Sequence, residues 1–397
     1  MTRATVAGFG AFAALVVAVL ALRMAEVTAL SPVRPPGAWR PVYIAAVVVA
    51  FVLYALGVAL LSRRAASLRV VLAVAVAIQL APLAAPLLLS TDAYSYWDYG
   101  RVAAVHGGNP YADRPSRWPD DPAFRLMGAD WRERTSVYGP AFTFASEGDA
   151  HVAAGSARTA TLLFRLLAAA AMLGLVAATV AAARERAFAA AFVGWNPLLA
   201  LHFAGGGHND VLMMAFATAA LALGARLEGA AWAAALSIKL VAVVFLPLRA
   251  LEAHRRGRGI GGTMLGFALA AGVVGALASI RYGTAWLGVL SPLTNQLRRT
   301  SSLGLPYWLG KWGIPERPAR DGLVLLFALL YLWLLREAWR GRARLALCAV
   351  GLLLATPWLQ PWYAVWAIPF AAVEEDRLAR VAALAVSAYF LQDALPL

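Results

Sequence analysis

Long uncharged stretches alternate with short basic clusters along the chain. Runs of the length a bilayer needs, about 20 residues, occupy 4–22, 41–61, 70–89, 187–207 and 259–280. Shorter or singly interrupted runs at 159–183, 211–225, 322–335 and 378–392 read as spans as well. The basic clusters are Arg63, Arg64 and Arg69; Arg184 and Arg186; Arg249, Arg255, Arg256 and Arg258; and Arg336, Arg340, Arg342 and Arg344. Cationic residues beside membrane spans stay in the cytoplasm, so all four clusters are assigned to that side.

That assignment bends two stretches. With the loop 226–228 and the cluster after Leu248 on one side, 229–248 must enter the membrane and return, with Lys239 near the tip. The run 345–373 is too long for one straight helix, and Pro357 and Pro361 break it in the middle. Non-helical backbone at membrane depth is tolerated where it lines a cavity, so both tips are expected in a site on the outer side. The fold expected is all-α: one polytopic membrane domain over 1–397 with about 11–13 membrane helices, two of them broken hairpins. A large extracytoplasmic loop with interfacial helices is expected at 90–158, and a second outer segment at 281–320.

Composition removes the soluble alternatives. Apolar residues make up 61% of the 397 positions and charged ones 14%, against about 25% charged in soluble domains. The net charge of +14, 35 basic minus 21 acidic residues, would suggest nucleic acid in a soluble chain. Here it records sidedness, because most basic residues sit between spans while nine of the acidic ones fall in 90–158. Cys348 is the sole cysteine, which excludes an intramolecular disulfide. No phosphate-binding glycine loop, dinucleotide fingerprint, zinc-type spacing or Gly-x-Ser-x-Gly is present, so no cofactor or metal site is expected.

Candidate chemistry lies where charge or turn residues interrupt the apolar pattern. In a helix following Ser90, Asp92, Tyr96, Tyr99 and Gly100 share one stripe while Asp98 points elsewhere. Asp92 is either a helix cap or a general base whose burial raises its proton affinity. Tyr138-Gly-Pro140 reads as a turn, and Glu147, Asp149 and His151 as part of a solvated loop. In Gly205-Gly-Gly-His-Asn-Asp210, consecutive glycines allow a tight backbone while His208, Asn209 and Asp210 supply polar groups; the turn either caps the next helix or contacts a headgroup. An isolated Lys239 ammonium inside a membrane hairpin costs ~2.5–3.5 kcal/mol, so it either snorkels or meets a bound anion. Arg298 and Arg299 are adjacent outer-side cations that could hold a phosphate or only steer headgroups. Trp358, Gln360, Trp362 and Tyr363 form either an aromatic belt or a sugar-binding wall at the proline break.

Four of these segments occur in a fixed order: Asp92-Ala-Tyr-Ser-Tyr96 with Gly100 and Asn109-Pro-Tyr111, Tyr138-Gly-Pro140, Gly207-His-Asn-Asp210 and Gln360-Pro-Trp-Tyr363. From about Val70 to Phe370, the chain resembles the polyprenyl-phosphate-mannose-dependent mannosyltransferases of the GT-C superfamily, and among them the bacterial alpha-1,6-mannosyltransferases of lipomannan-type glycan synthesis. The resemblance implies an inverting, metal-independent transferase in the cell membrane, its active site on the extracytoplasmic side. Its partners would be a polyprenyl-phosphate sugar donor and a glycan or glycolipid acceptor. Asp92 matches the family's base; Lys239, Arg298, Arg299 and His208 are the candidates for stabilising the leaving phosphate. By the same resemblance Asn209 and Asp210 orient the sugar or His208, Gln360, Trp362 and Tyr363 line the donor or acceptor groove, and Tyr96 and Tyr138 are further substrate-binding candidates. A transporter or flippase of lipid-linked sugars is the competing class; inverted repeats would favour it, and none is evident.

Overall fold

The computed structural model describes residues 2–28, 37–64, 66–290 and 299–395. Eighteen α-helices and no strand occur among them. Helices α1 (Arg3–Met24) and α2 (Trp39–Leu61) pack along each other, and α3 (Leu68–Leu80) lies beside α1. The polar segment that follows carries α4 (Asp92–Ala104), the short α5 (Pro122–Leu126) and α6 (Pro140–Ala153). Helix α7 (Ala157–Ala182) leads into α8 (Arg186–Gly194), α9 (Pro197–Phe203) and α10 (Asp210–Ala220). A first hairpin is built from α11 (Ala225–Ile238) and α12 (Leu246–Arg255), followed by α13 (Gly261–Tyr282) and α14 (Leu305–Lys311). Helix α15 (Glu316–Trp339) precedes a second hairpin, α16 (Leu345–Ala355) and α17 (Ile368–Val373), and α18 (Arg377–Ala394) completes the set.

Helices α1, α2, α7, α13 and α15 are each long and apolar enough to cross a membrane, and the chain is an all-α polytopic membrane protein. Leu269, Val273 and Leu277 of α13 and Leu325, Leu329 and Leu332 of α15 are exposed, as acyl chains as solvent would permit.

Three expected spans differ. The run 70–89 is helical only to Leu80, continues as a 3-10 turn at Ala81–Ala84 and then becomes irregular, because Pro82 and Pro86 remove backbone donors. The run 187–207 is two helices, not one. Asn196 ends the first and caps the second, its side chain accepting from Leu198 N at 3.0 Å. The run 211–225 shortens to α10, and Ala225 already begins the next helix.

Both hairpins enter and return. In the first, Lys239 has extended backbone between α11 and the 3-10 turn Leu240–Phe245. Its two limbs meet at the base, where Arg249 Nε donates to Glu228 Oε1 at 2.7 Å. In the second, α16 ends before Thr356-Pro357 and Glu374 accepts from Leu345 N at 2.5 Å, tying the returning limb to the start of the entering one. Arg344 to Asp376 at 2.7 Å, Arg380 to Glu185 at 2.7 Å and Arg256 to the Gly341 carbonyl at 2.9 Å link three of the four basic clusters to the hairpin bases. The tips lie at the other end, against the polar segment.

Candidate active site

The tip of the first hairpin is gripped by the Tyr138-Gly139-Pro140 turn. Gly139 N–H donates to the Ile238 carbonyl at 3.0 Å, and a Cβ on Gly139 would stand 2.2 Å from the Ser237 carbonyl oxygen. Only glycine lets the start of α6 lie this close, and the contact brings Tyr138 beside Lys239. The second hairpin's tip is strapped by Ser301, whose N–H donates to the Pro357 carbonyl at 2.9 Å and whose Oγ donates to that of Leu359 at 2.7 Å. Between the tips runs the turn before α10. Gly207 there has φ +74°, a left-handed conformation that side chains resist, and Leu88 N–H donates to the Gly205 carbonyl at 3.0 Å. The start of α4 and the start of α10 thereby become neighbours.

Asp210 is fully buried and accepts three hydrogen bonds. Lys239 Nζ donates to both carboxylate oxygens at 2.8 Å, and Trp366 Nε1 donates to Oδ1 at 2.7 Å. The anion that Lys239 requires is thus supplied by the chain, 29 positions earlier. Nζ also lies 4.7 Å from the centre of the Tyr363 ring, a favourable cation–π distance. Asp92 is held differently. Among the described residues its one ion-pair neighbour is His208, with Nδ1 3.4 Å from Oδ2 and out of line for a hydrogen bond. Thr91, not Asp92, takes the cap position of α4. His208 is buried and stacks parallel on Trp362 with ring centres 3.6 Å apart.

These groups surround a cavity of about 270 Å³ lined by Asp92, Tyr96, Tyr138, Lys239, Gln360, Trp362 and Tyr363 together with Trp131, Trp358 and Asp393. A second cavity of about 300 Å³ is walled largely by Leu240, Val241, Val324, Phe327 and Leu352. The two share Val137, Tyr138, Lys239, Trp358 and Tyr363, so an apolar groove opens into a polar chamber at the Lys239 ammonium. Burial pushes the Tyr96 hydroxyl well above its ordinary pKa, and neighbouring Tyr138 and Asp92 add to the shift. Tyr138 is raised by burial and by Asp92. Both remain neutral donors.

Arg299 lies outside the chamber lining but stacks on its Trp358 wall, the guanidinium 3.8 Å from the ring centre, and pairs with Asp130 at 2.5 Å. Its Nη1 is buried without a hydrogen-bond partner among the described residues. Arg298 falls outside the described residues. Asn209 is buried behind His208, and neither of its amide atoms has a partner among the described residues. Tyr99 faces away and donates to the Arg134 carbonyl at 3.1 Å. The segment expected as a solvated loop is helix α6: Glu147 pairs with Arg281 at 2.6 Å, and Asp149 is buried. Sequence reasoning missed Trp131, Trp366 and Asp393. Trp366 sits three positions after Tyr363, one turn of a 3-10 helix, and that spacing was the available signal. Asp393 directly follows an apolar run; Trp131 carried no local signal.

The arrangement can hold an apolar chain in one compartment and a neutral polar group against Asp92 in the other, with a cation at the junction. The chain belongs to the alpha-(1->6)-mannopyranosyltransferase N-terminal domain family, whose model matches residues 7–255. It is 27% identical over 353 residues to the "probable alpha-(1->6)-mannopyranosyltransferase" of Mycolicibacterium smegmatis, covering 73% of this chain and 62% of that one. Alpha-(1->6)-mannopyranosyltransferase A of Mycobacterium tuberculosis is 28% identical over 350 residues, 76% of this chain and 65% of that protein. Alpha-(1->6)-mannopyranosyltransferase B of Corynebacterium glutamicum is 27% identical over 367 residues, 79% and 60%. The chain therefore spans 60 to 65% of the length of the curated relatives it matches. No solved structure matches it.

Proposed function

We propose that this protein transfers a mannosyl unit, with inversion, from a polyprenyl-phosphate donor to a glycan or glycolipid acceptor on the extracytoplasmic side of the cell membrane. The observation that carries this reading is the junction of the apolar groove and the polar chamber at Lys239. A polyprenyl chain fits the groove by chemistry, its phosphate would meet the ammonium, and its sugar would project toward Asp92. The names of the relatives support mannose. The basic clusters at the hairpin bases support a cytoplasmic assignment for that end, which turns the chamber outward.

In the reaction Asp92 takes the proton from an acceptor hydroxyl as that oxygen attacks the anomeric carbon. The bond from that carbon to the phosphate oxygen breaks, and the electron pair leaves with the phosphate. Preorganised cations at the place where charge develops lower the barrier most. Lys239 would hold that position, and Arg299, with one buried nitrogen that has no partner among the described residues, stacked on Trp358, would be the second. His208 lies beside Asp92, its Nδ1 3.4 Å from Oδ2.

The test is incubation of purified protein with polyprenyl-phosphate mannose, glucose and arabinose in turn, each with an alpha-1,6-mannan oligosaccharide, followed by mass spectrometry. Addition of one hexose from the mannose donor is expected. Transfer only from a nucleotide sugar, or movement of the lipid across vesicles without transfer, would overturn the proposal.

A further inference from the structure

Asp393, near the end of α18, is an accessible carboxylate in the wall of the same chamber as Asp92. It makes no hydrogen bond or ion pair among the described residues, whereas most carboxylates at the hairpin bases are paired. Asp393 is also absent from the apolar groove and from the wall the two compartments share. A donor whose lipid lies in the groove reaches the chamber through that shared wall, at Lys239, Trp358 and Tyr363. The part bounded by Asp393, Trp131, Gln360 and Trp362 is therefore left for the other substrate.

Charge separates the two ends in the same sense. Lys239 and Arg299 mark the shared wall, where an anion is welcome. Asp92 and Asp393 mark the rest, where a phosphate would be repelled and a neutral polyol accepted. An ionised carboxylate has only acceptor sites, which suits it to two neighbouring hydroxyls of one sugar ring. The indoles of Trp131 and Trp362 offer apolar faces for the ring itself.

We propose that Asp393 is the acceptor-binding residue of this enzyme: its carboxylate accepts hydrogen bonds from adjacent hydroxyls of the acceptor's terminal sugar and so directs one remaining hydroxyl to Asp92. The inference rests on the transferase reading above, but its binding test does not need turnover.

Alpha-1,6-linked mannotriose is titrated against the full chain in detergent by saturation-transfer NMR, without donor. The expected result is binding that weakens about 10- to 100-fold in Asp393→Asn, the loss typical of removed hydrogen bonds to a charged group, with partial recovery in Asp393→Glu. Binding by Asp92→Asn should stay within about threefold of the wild type. Where turnover is measurable, Asp393→Asn should raise the acceptor KM by the same factor and lower kcat by less than that factor. Asp393→Ala, which keeps no polar atom at this position, should match the Asn variant. Equal mannotriose binding by wild type and Asp393→Asn, no binding by the wild type, or a loss of kcat at constant acceptor KM would each overturn the assignment. A wild type that binds mannotriose through Asp393 yet transfers nothing would refute the transferase reading and leave the subsite standing.

Discussion

Asp92 and Asp210 occupy the same local position, each the first residue of a helix, α4 and α10, behind a cap residue whose side chain makes no capping bond. A helix N-terminus favours an anion in both places. Their surroundings differ. Asp210 is fully buried and accepts from an ammonium and an indole N–H. Asp92 has 17% of its side chain exposed, and its ion-pair neighbour among the described residues, His208, is too poorly aligned to hold it. A carboxylate bound to an ammonium through both oxygens cannot take a proton without weakening that pair, and one that faces a cavity can. The difference is what leads us to propose chemistry for Asp92 and architecture for Asp210, and it arises from what each helix start faces.

The largest effect should come from the exposed member. Asp92→Asn keeps size and polarity but removes basicity, and transfer should fall between about 100- and 10,000-fold, the range of a positioned general base. Thermal unfolding in detergent should move little. Undiminished turnover would exchange the roles of the two aspartates or promote Asp393.

The buried member should show the reverse profile. Asp210→Ala leaves the Lys239 ammonium without its counter-charge and should cost about 3–5 kcal/mol of stability. Lys239→Met should cost a similar amount and also weaken binding of polyprenyl phosphate. Combining Asp210→Ala with Lys239→Met removes both charges, so the double variant should lose less stability than the sum of the two single losses. Strict additivity in unfolding measurements would mean that the pair is not coupled.

Asp98 extends the comparison along α4. Burial, reinforced by the nearby charge of Asp121, pushes its pKa up to about 7 from 3.8. The unfolded chain then loses this proton near pH 4 while the folded chain keeps it to about pH 7. Stability therefore falls as pH rises through that window and is level above it, by at most about 4 kcal/mol. Asp121 has the opposite sense. Burial would raise it, but hydrogen bonds from Arg101, Ala123 N and His106 outweigh that and hold it below the ordinary value, so its contribution is lost in acid. Asp98→Asn should flatten the decline between pH 4 and 7 and leave the acid limb in place. An unchanged profile would show that Asp98 is ionised in the folded protein.

The sequence exposed what depends on local pattern. Uninterrupted apolar runs marked α1, α2 and α13, a run broken once by Arg165 marked α7, and the charge asymmetry required both hairpins, whose bases are tied by Glu228–Arg249 and by Glu374. It hid the break at Asn196-Pro197, because one polar residue barely lowers the apolar character of a 21-residue run, while its cap bonds to Leu198 and Leu199 need structure to be seen. Long-range pairing was illegible for the same reason. Nothing near Lys239 names Asp210, and the spacing of Asp393 from Asp92 says nothing about a shared chamber. Motif order gathered most lining residues, whereas compartment and partner came from packing.

The smallest effect concerns what keeps Asp92 and His208 adjacent. His208 is fixed less by hydrogen bonds than by its parallel stack on Trp362, with planes 14° apart. Trp362→Phe and Trp362→Leu both shorten the side chain and open space, so each alone mixes cavity and stacking effects. Their difference isolates the aromatic face, and Phe should be the more stable by about 0.5–1.5 kcal/mol. The same ordering should appear in kcat, with a few-fold advantage for Phe, because a ring that keeps His208 in plane also keeps Asp92 facing the chamber. If the two variants differ in stability but not in kcat, the His208 contact is structural and Asp92 is oriented by α4 alone.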